Sequence, residues 1–192
     1  MAQVSSTFPY FTVEEYLEMD VDPAVRYEYV GGQLYALSGG SDRHNEIIMN
    51  ISGHLWTAAR GTGRRVFSSG MRLRLSESAY YYPDAMVVRI TDDRDHQFRT
   101  RPCLVVEVLS PSTASIDRRE KLFAYRQIPS LEAYVMVYQD ERRVERHYRD
   151  VGGSWANGEV YGQGVVPVPC PAMELTLDDI YEGVDFSSPV SQ

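Results

Sequence analysis

Two hydrophobic periods alternate along this chain, and the switches between them predict its elements. Ile47, Ile48, Ile51, Leu55 and Ala58 recur at helical spacing, so a helix is expected from a cap at Ser41 or Asp42 to the glycines of Gly61-Thr-Gly63. Upstream, Thr12-Val-Glu-Glu15 has the spacing of a capping box, whose hydroxyl and carboxylate satisfy the first free amides of a short helix reaching about Met19. Between these helices, Val25-Arg-Tyr-Glu-Tyr-Val30 and Gln33-Leu-Tyr-Ala-Leu37 flank Gly31-Gly32, a pair that supplies the positive φ angles of a two-residue hairpin. Ser38-Gly-Gly-Ser-Asp42 reads as a loop.

The middle of the chain is strand-like. Val66 to Leu75 alternates in part, with Met71, Leu73 and Leu75 set against Arg72 and Arg74, which predicts a strand with one wet face, bent at Gly70. Pro83 precedes the apolar run Asp84-Ala-Met-Val-Val-Arg-Ile90, a buried strand. The charged segment Thr91 to Arg101 predicts a solvated loop. Cys103-Leu-Val-Val-Glu-Val-Leu109 is the most apolar strand, and Ser110-Pro-Ser-Thr113 ends it. A helix is expected from Ile116 to about Gln127, a stretch without Gly or Pro bounded by Pro111 and Pro129. Ala133 to Asp140 and Arg142 to Arg149 form another hairpin pattern. The tail is rich in Gly and Pro, with an acidic turn at Leu177-Asp-Asp-Ile180.

With 192 residues, 43% hydrophobic and 24% charged, the chain fits one globular domain and excludes a disordered tail or a coiled-coil rod. Its longest apolar runs, Cys103 to Val106 and Ala133 to Tyr138, are too short to span a membrane. The first residues lack the pattern of a signal peptide, so a cytoplasmic location is expected. Cys103 and Cys170 make neither a disulfide framework nor a zinc ligand set, which suits a reducing compartment. A net charge of −8 argues against non-specific coating of nucleic acid, yet arginines cluster at Arg60, Arg64, Arg65, Arg72 and Arg74, at Arg118, Arg119 and Arg126, and at Arg142, Arg143 and Arg146. The basic residues are otherwise lopsided: all are arginine except Lys121. A genome-wide bias towards arginine codons is the plainer reading of that split. It does not account for the one lysine, and a position that needs a compact, rotatable ammonium makes Lys121 a candidate for chemistry.

Candidate chemistry begins with Glu107, an acid inside an apolar strand, where an ionised carboxylate is costly unless a cation or hydrogen bonds meet it. Asp84 opens the preceding apolar strand, so if the two strands are neighbours their carboxylates meet at one sheet end. A divalent cation would relieve the repulsion, and carboxylate, carbonyl and water oxygens suit Mg²⁺ or Mn²⁺. Asp117, Lys121 and Tyr125 are spaced by four and share one helix face, from which Lys121 can reach the same pocket. Each residue also has a plainer reading. Asp84 could be a turn residue, Glu107 could pair with an arginine, Asp117 and Lys121 could be a solvated helical pair, and His44 could decorate a first helical turn. His54, His96 and His147 have no partner visible in the sequence. The conjunction of proline-aspartate, a buried glutamate and the sole lysine favours chemistry.

The run Arg26-Tyr-Glu-Tyr-Val-Gly-Gly32, His44 at a helix start, Pro83-Asp84, Val106-Glu-Val-Leu-Ser-Pro-Ser-Thr113, and Asp117 with Lys121 and Tyr125 together resemble the Uma-two family of restriction-endonuclease-like proteins. That family belongs to the PD-(D/E)XK nuclease superfamily, and the resemblance covers about residues 10 to 182. It implies an α/β (α+β) fold: a mixed β-sheet flanked by helices, with an N-terminal helix and β-hairpin and C-terminal antiparallel strands. It also implies a Mg²⁺ or Mn²⁺ ion held by Asp84, Glu107 and the backbone carbonyl of Val108, with Glu28 completing the ligand set. The superfamily pattern places a lysine two residues after the glutamate, where this chain has Leu109; Lys121 of the following helix is the implied replacement. His44 matches the family histidine, its role open, and Tyr125 and Asp117 are accessory candidates. The implied activity is metal-dependent endonucleolytic hydrolysis of DNA by a homodimer, the rival being a nuclease-like binding or complex-subunit module without catalysis. A membrane partner is not expected.

Overall fold

The computed structural model describes residues 10–19, 25–37, 39–90, 95–110, 114 and 117–187. Among them the chain runs through helix α1 (Val13–Met19), strands β1 (Tyr27–Val30) and β2 (Gln33–Ala36), helix α2 (Asp42–Ala59), and strands β3 (Arg64–Ser68), β4 (Arg72–Ser76), β5 (Ala79–Tyr81), β6 (Ala85–Arg89), β7 (Phe98–Arg99) and β8 (Pro102–Leu109). A π-helical turn (Asp117–Lys121) continues into α3 (Leu122–Arg126), followed by β9 (Ala133–Tyr138), β10 (Arg143–Arg149), β11 (Trp155–Tyr161), β12 (Val165–Pro169), β13 (Ala172–Thr176) and α4 (Leu177–Ile180).

Two mixed sheets carry the fold. The larger has six strands in the order β11-β10-β9-β8-β6-β3, the smaller has five in the order β2-β1-β5-β4-β7, and β12 and β13 form a separate hairpin. In the larger sheet β8 and β9 alone run parallel. Parallel neighbours cannot be joined by a tight turn, so the chain must cross over the sheet between them, and the π-turn and α3 form that crossover.

The alternation of β8 sorts its side chains between two cores. Leu104, Val106 and Val108 pack with Ile47, Ile51 and Leu55 of α2. Val105 and Leu109 face the other way, with Met86, Val88, Tyr125, Leu131 and Tyr134 under the crossover. Period two puts Glu107 on that second face. A third cluster stacks Tyr16 of α1 on Tyr29, their ring centroids 5.0 Å apart.

Several local expectations are met. The capping box closes through Thr12 N to Glu15 Oε2 at 2.7 Å and Glu15 N to Thr12 Oγ1 at 3.2 Å. The glycine hairpin pairs Val30 with Gln33, with Gly31 and Gly32 at φ 58° and 89°. Ser41, not Asp42, caps α2, accepting from His44 N. Other expectations need correction. Val66 to Leu75 is not one bent strand: the chain breaks at Ser69-Gly70, and β3 and β4 enter different sheets. The charged segment before β8 is not wholly solvated, because Phe98 and Arg99 are buried, pairing in parallel with β4. Thr91 to Arg94 of it, like Pro111 to Thr113, Ile116 and the N-terminal residues 1–9, lies outside the described residues. Cys103 and Cys170 are joined in a disulfide that ties β8 to the turn between β12 and β13. That pairing removes the cysteine argument for a reducing compartment.

Candidate active site

Asp84 lies one residue before β6, and β6 pairs antiparallel with β8 in a register that sets Ala85 opposite Val106. Continuing that register by one residue places Asp84 across from Glu107. Asp84 Oδ2 accepts the backbone N–H of Val108 at 2.7 Å, which locks the aspartate onto the end of β8. In an extended strand the N–H and C=O of one residue point the same way, so the Val108 carbonyl is turned to that same edge. His44, in the first turn of α2, reaches Asp84 Oδ1 with Nε2 at 3.2 Å.

Lys121 arrives from the crossover and stands at the centre. Its Nζ is 3.1 Å from Glu107 Oε1, 3.1 Å from Glu28 Oε1 and 3.2 Å from Asp117 Oδ1. The ammonium donates hydrogen bonds to Glu107 and Glu28, whereas the Asp117 contact is an ion pair without an aligned hydrogen bond. Tyr125, one turn further along, donates its hydroxyl to Glu107 Oε1 at 2.9 Å. Glu28 comes from β1 of the smaller sheet and accepts the backbone N–H of Tyr82 at 3.2 Å. The site therefore joins both sheets, the crossover and the start of α2.

Burial is deep: Glu28, Glu107, Asp117 and Lys121 are exposed by only 7%, 3%, 2% and 4%. The Asp117–Lys121 pair is thus not the solvated helical pair that its spacing allowed. Desolvation pulls Lys121 down, but Glu107, Glu28 and Asp117 outweigh it and hold the ammonium well above the usual lysine value. Burial pushes Asp84 up to about 7 despite the Val108 hydrogen bond and the nearby Lys121. Burial likewise drives Glu107 well above the ordinary carboxylate range, and Lys121 only partly opposes it. His44 is lowered by burial, which favours the neutral ring. Tyr125 and Tyr134 are raised by burial and stay protonated.

Four carboxylates against one ammonium and a neutral imidazole leave excess negative charge in a dry place. Burial shifts Asp84 and Glu107 towards their protonated forms, which lessens that charge; a divalent cation is the other remedy. Among the described residues no three His, Cys, Asp or Glu side chains are already grouped as a ligand set. The donor chemistry still fits Mg²⁺ or Mn²⁺, which bind through one or two carboxylates and keep water or substrate oxygens as their other ligands. Glu107 engages Lys121 and Tyr125 through Oε1, and among the described residues nothing is recorded on Oε2.

The chain matches the Uma2 family, described as "Putative restriction endonuclease", over residues 13–179. It belongs to that family. Among relatives from Synechocystis, it is 31% identical to "Uncharacterized protein slr1290" over 95% of this chain and 97% of the relative. It is 35% identical to "Uncharacterized protein sll1609" over 83% and 93%. A crystal structure from Anabaena variabilis, titled as a putative nuclease belonging to DUF820, superposes with a TM-score of 0.72 at 16% identity, covering 89% of this chain and 97% of that one. At that identity the likeness speaks for the fold alone, and it is a nuclease-like mixed α/β fold.

Sequence reasoning found Tyr125 but passed over Tyr81 and Tyr134, which also line this site. Tyr134 donates its hydroxyl to the Asp117 carbonyl at 3.3 Å, and Lys121 Nζ lies 5.6 Å from the centre of the Tyr81 ring. The run Tyr80-Tyr81-Tyr82 directly before Pro83-Asp84 was the available signal. Two histidines with no partner visible in the sequence have one: His54 faces Asp179 at 3.9 Å, and His147 meets Arg126 at 3.0 Å.

Proposed function

We propose that this Uma2 protein is a Mg²⁺- or Mn²⁺-dependent endonuclease that hydrolyses phosphodiester bonds in DNA. The observation that carries the reading is Lys121 Nζ at 3.1 Å from Glu107, which supports a helix-borne lysine acting in place of the superfamily's strand-borne one. Asp84, Glu107, Glu28 and the Val108 carbonyl are the groups that would hold the ion. When bound, the ion would supply Lewis acidity to water and offset phosphate charge. The chain's own residues do the rest. Val108 N–H and His44 fix the direction of Asp84, Tyr125 fixes Glu107, and Lys121 presents a positive charge beside the reacting phosphate.

Cutting both strands of a duplex calls for two such sites, so a homodimer belongs to the proposal, as does a cytoplasmic location. Purified protein at low salt with Mg²⁺ or Mn²⁺ should nick plasmid DNA, stop with EDTA, and lose the activity as Glu107→Gln and as Lys121→Ala. Nicking that survives in both variants points to a contaminant and sinks the mechanism.

One observation favours a second reading. Glu28 and Glu107 are already neutralised in part by Lys121, an arrangement that holds a fold together without any ion. A silent DNA-binding or complex-subunit module would bind DNA with the same salt dependence and yield no product with any metal.

A further inference from the structure

Asp117 is a buried acid that the proposed reaction leaves without a task. It is 2% exposed, its Oδ1 lies 3.2 Å from Lys121 Nζ, and among the described residues that oxygen makes no aligned hydrogen bond. Burying a carboxylate against an ammonium without an aligned hydrogen bond costs more than the contact repays, so Asp117 is not there for stability alone. The rest of the cluster suggests a purpose. Of the three acids around Lys121, Glu28 and Glu107 are also groups that would face an ion, and a divalent ion there would repel the ammonium. A strand-borne lysine is aimed by its backbone. Lys121 instead reaches in from a π-turn on the crossover rather than from the strand that carries Glu107, so its direction is steadied by a charge that the ion does not share.

We propose that Asp117 is a positioning residue that anchors the Lys121 ammonium beside Glu107 while a divalent cation is bound. This rests on the metal-site reading above. Asp117 suits the task because it opens the same π-turn that closes on Lys121, and the two ends of that turn stand nearly over one another. The Tyr134 hydroxyl, bonded to the Asp117 carbonyl, holds the start of the turn against β9. Lys121 can then share Glu107 with an ion without being expelled.

The test is a double-mutant cycle on Mn²⁺ affinity measured by calorimetry, with thermal melts to verify folding. Asp117→Asn should weaken Mn²⁺ binding about tenfold, the scale expected for a group that supports a ligand set from outside it. In a Lys121→Met background the same substitution should change affinity by less than about twofold, because the charge it steadies is gone. Equal weakening in both backgrounds would mean that Asp117 acts only through its field, and no weakening in either would mean that it does not act; each result overturns the proposal. If the wild-type protein binds no Mn²⁺, the metal reading fails first, and a second measurement decides about Asp117. Lys121 is the only lysine, so protein labelled with ¹⁵N at lysine Nζ has a single ammonium signal. Asp117→Asn should move that signal, and an unmoved signal removes Asp117 as an anchor.

Discussion

The Asp84 carboxylate accepts the backbone N–H of Val108 at 2.7 Å, the residue that follows Glu107 in β8. The two acids are thereby tied together through main chain, and their separation is set by sheet pairing. Both acids are among the groups that would hold a divalent cation in the proposed site. Millimolar Mg²⁺ or Mn²⁺ should raise the melting temperature, by an amount corresponding to about 2.7 kcal/mol at a hundred times the dissociation constant. Asp84→Asn and Glu107→Gln should each remove the gain. Calorimetry showing no binding in the wild type would sink the site.

Acidity gives an independent handle. Asp84 is raised from an ordinary 3.8 to about 7 by burial. Between those values the folded chain keeps a proton that the unfolded chain has released, so raising the pH through the window costs stability, and above it the loss is complete. In EDTA, the melting temperature of wild type relative to Asp84→Asn should fall from about pH 4 to about pH 7 and then level off. A difference that does not change with pH would show that Asp84 titrates normally.

Lys121→Arg keeps the charge but replaces a compact ammonium with a planar fork that three convergent carboxylates cannot all meet. Nicking should fall by roughly 100-fold or more, the range expected when a positioned, charge-stabilising donor is lost. Undiminished turnover would show that positive charge alone suffices.

Tyr125→Phe removes the donor to Glu107 and little else, because the ring stays in its edge contacts with Tyr81 and Tyr134, at centroid distances of 5.9 and 5.0 Å. A loss of about 1–3 kcal/mol in denaturant unfolding is expected from a buried acceptor left short of a donor. A neutral substitution would mean that Glu107 is satisfied by Lys121 alone.

The disulfide between Cys103 and Cys170 spans 67 residues. Closing a loop of that size lowers the entropy of the unfolded chain, so reduction should cost about 4 kcal/mol. Equal denaturation midpoints with and without reductant would show that the bond does not contribute.

Short-range physics was readable from the residues themselves. The capping box of α1, the glycine hairpin, the apolar face of α2 and the strand character of β6, β8 and β9 follow from hydrogen-bonding groups and side-chain periods within a few positions. Glu107 stood out because a carboxylate in an apolar run demands a partner, and Lys121 because it is the only lysine. Periodicity, however, says which side chains share a face and not what that face meets. The break at Ser69-Gly70, the union of Cys103 with Cys170, and the meeting of Glu28 from one sheet with Lys121 over the other depend on strand order, which no local pattern encodes. Asp117 is the clearest case. Its spacing from Lys121 fits a wet surface pair equally well, and only the crossover between parallel strands, pressed onto the sheet, strips both of water and turns them into part of the site.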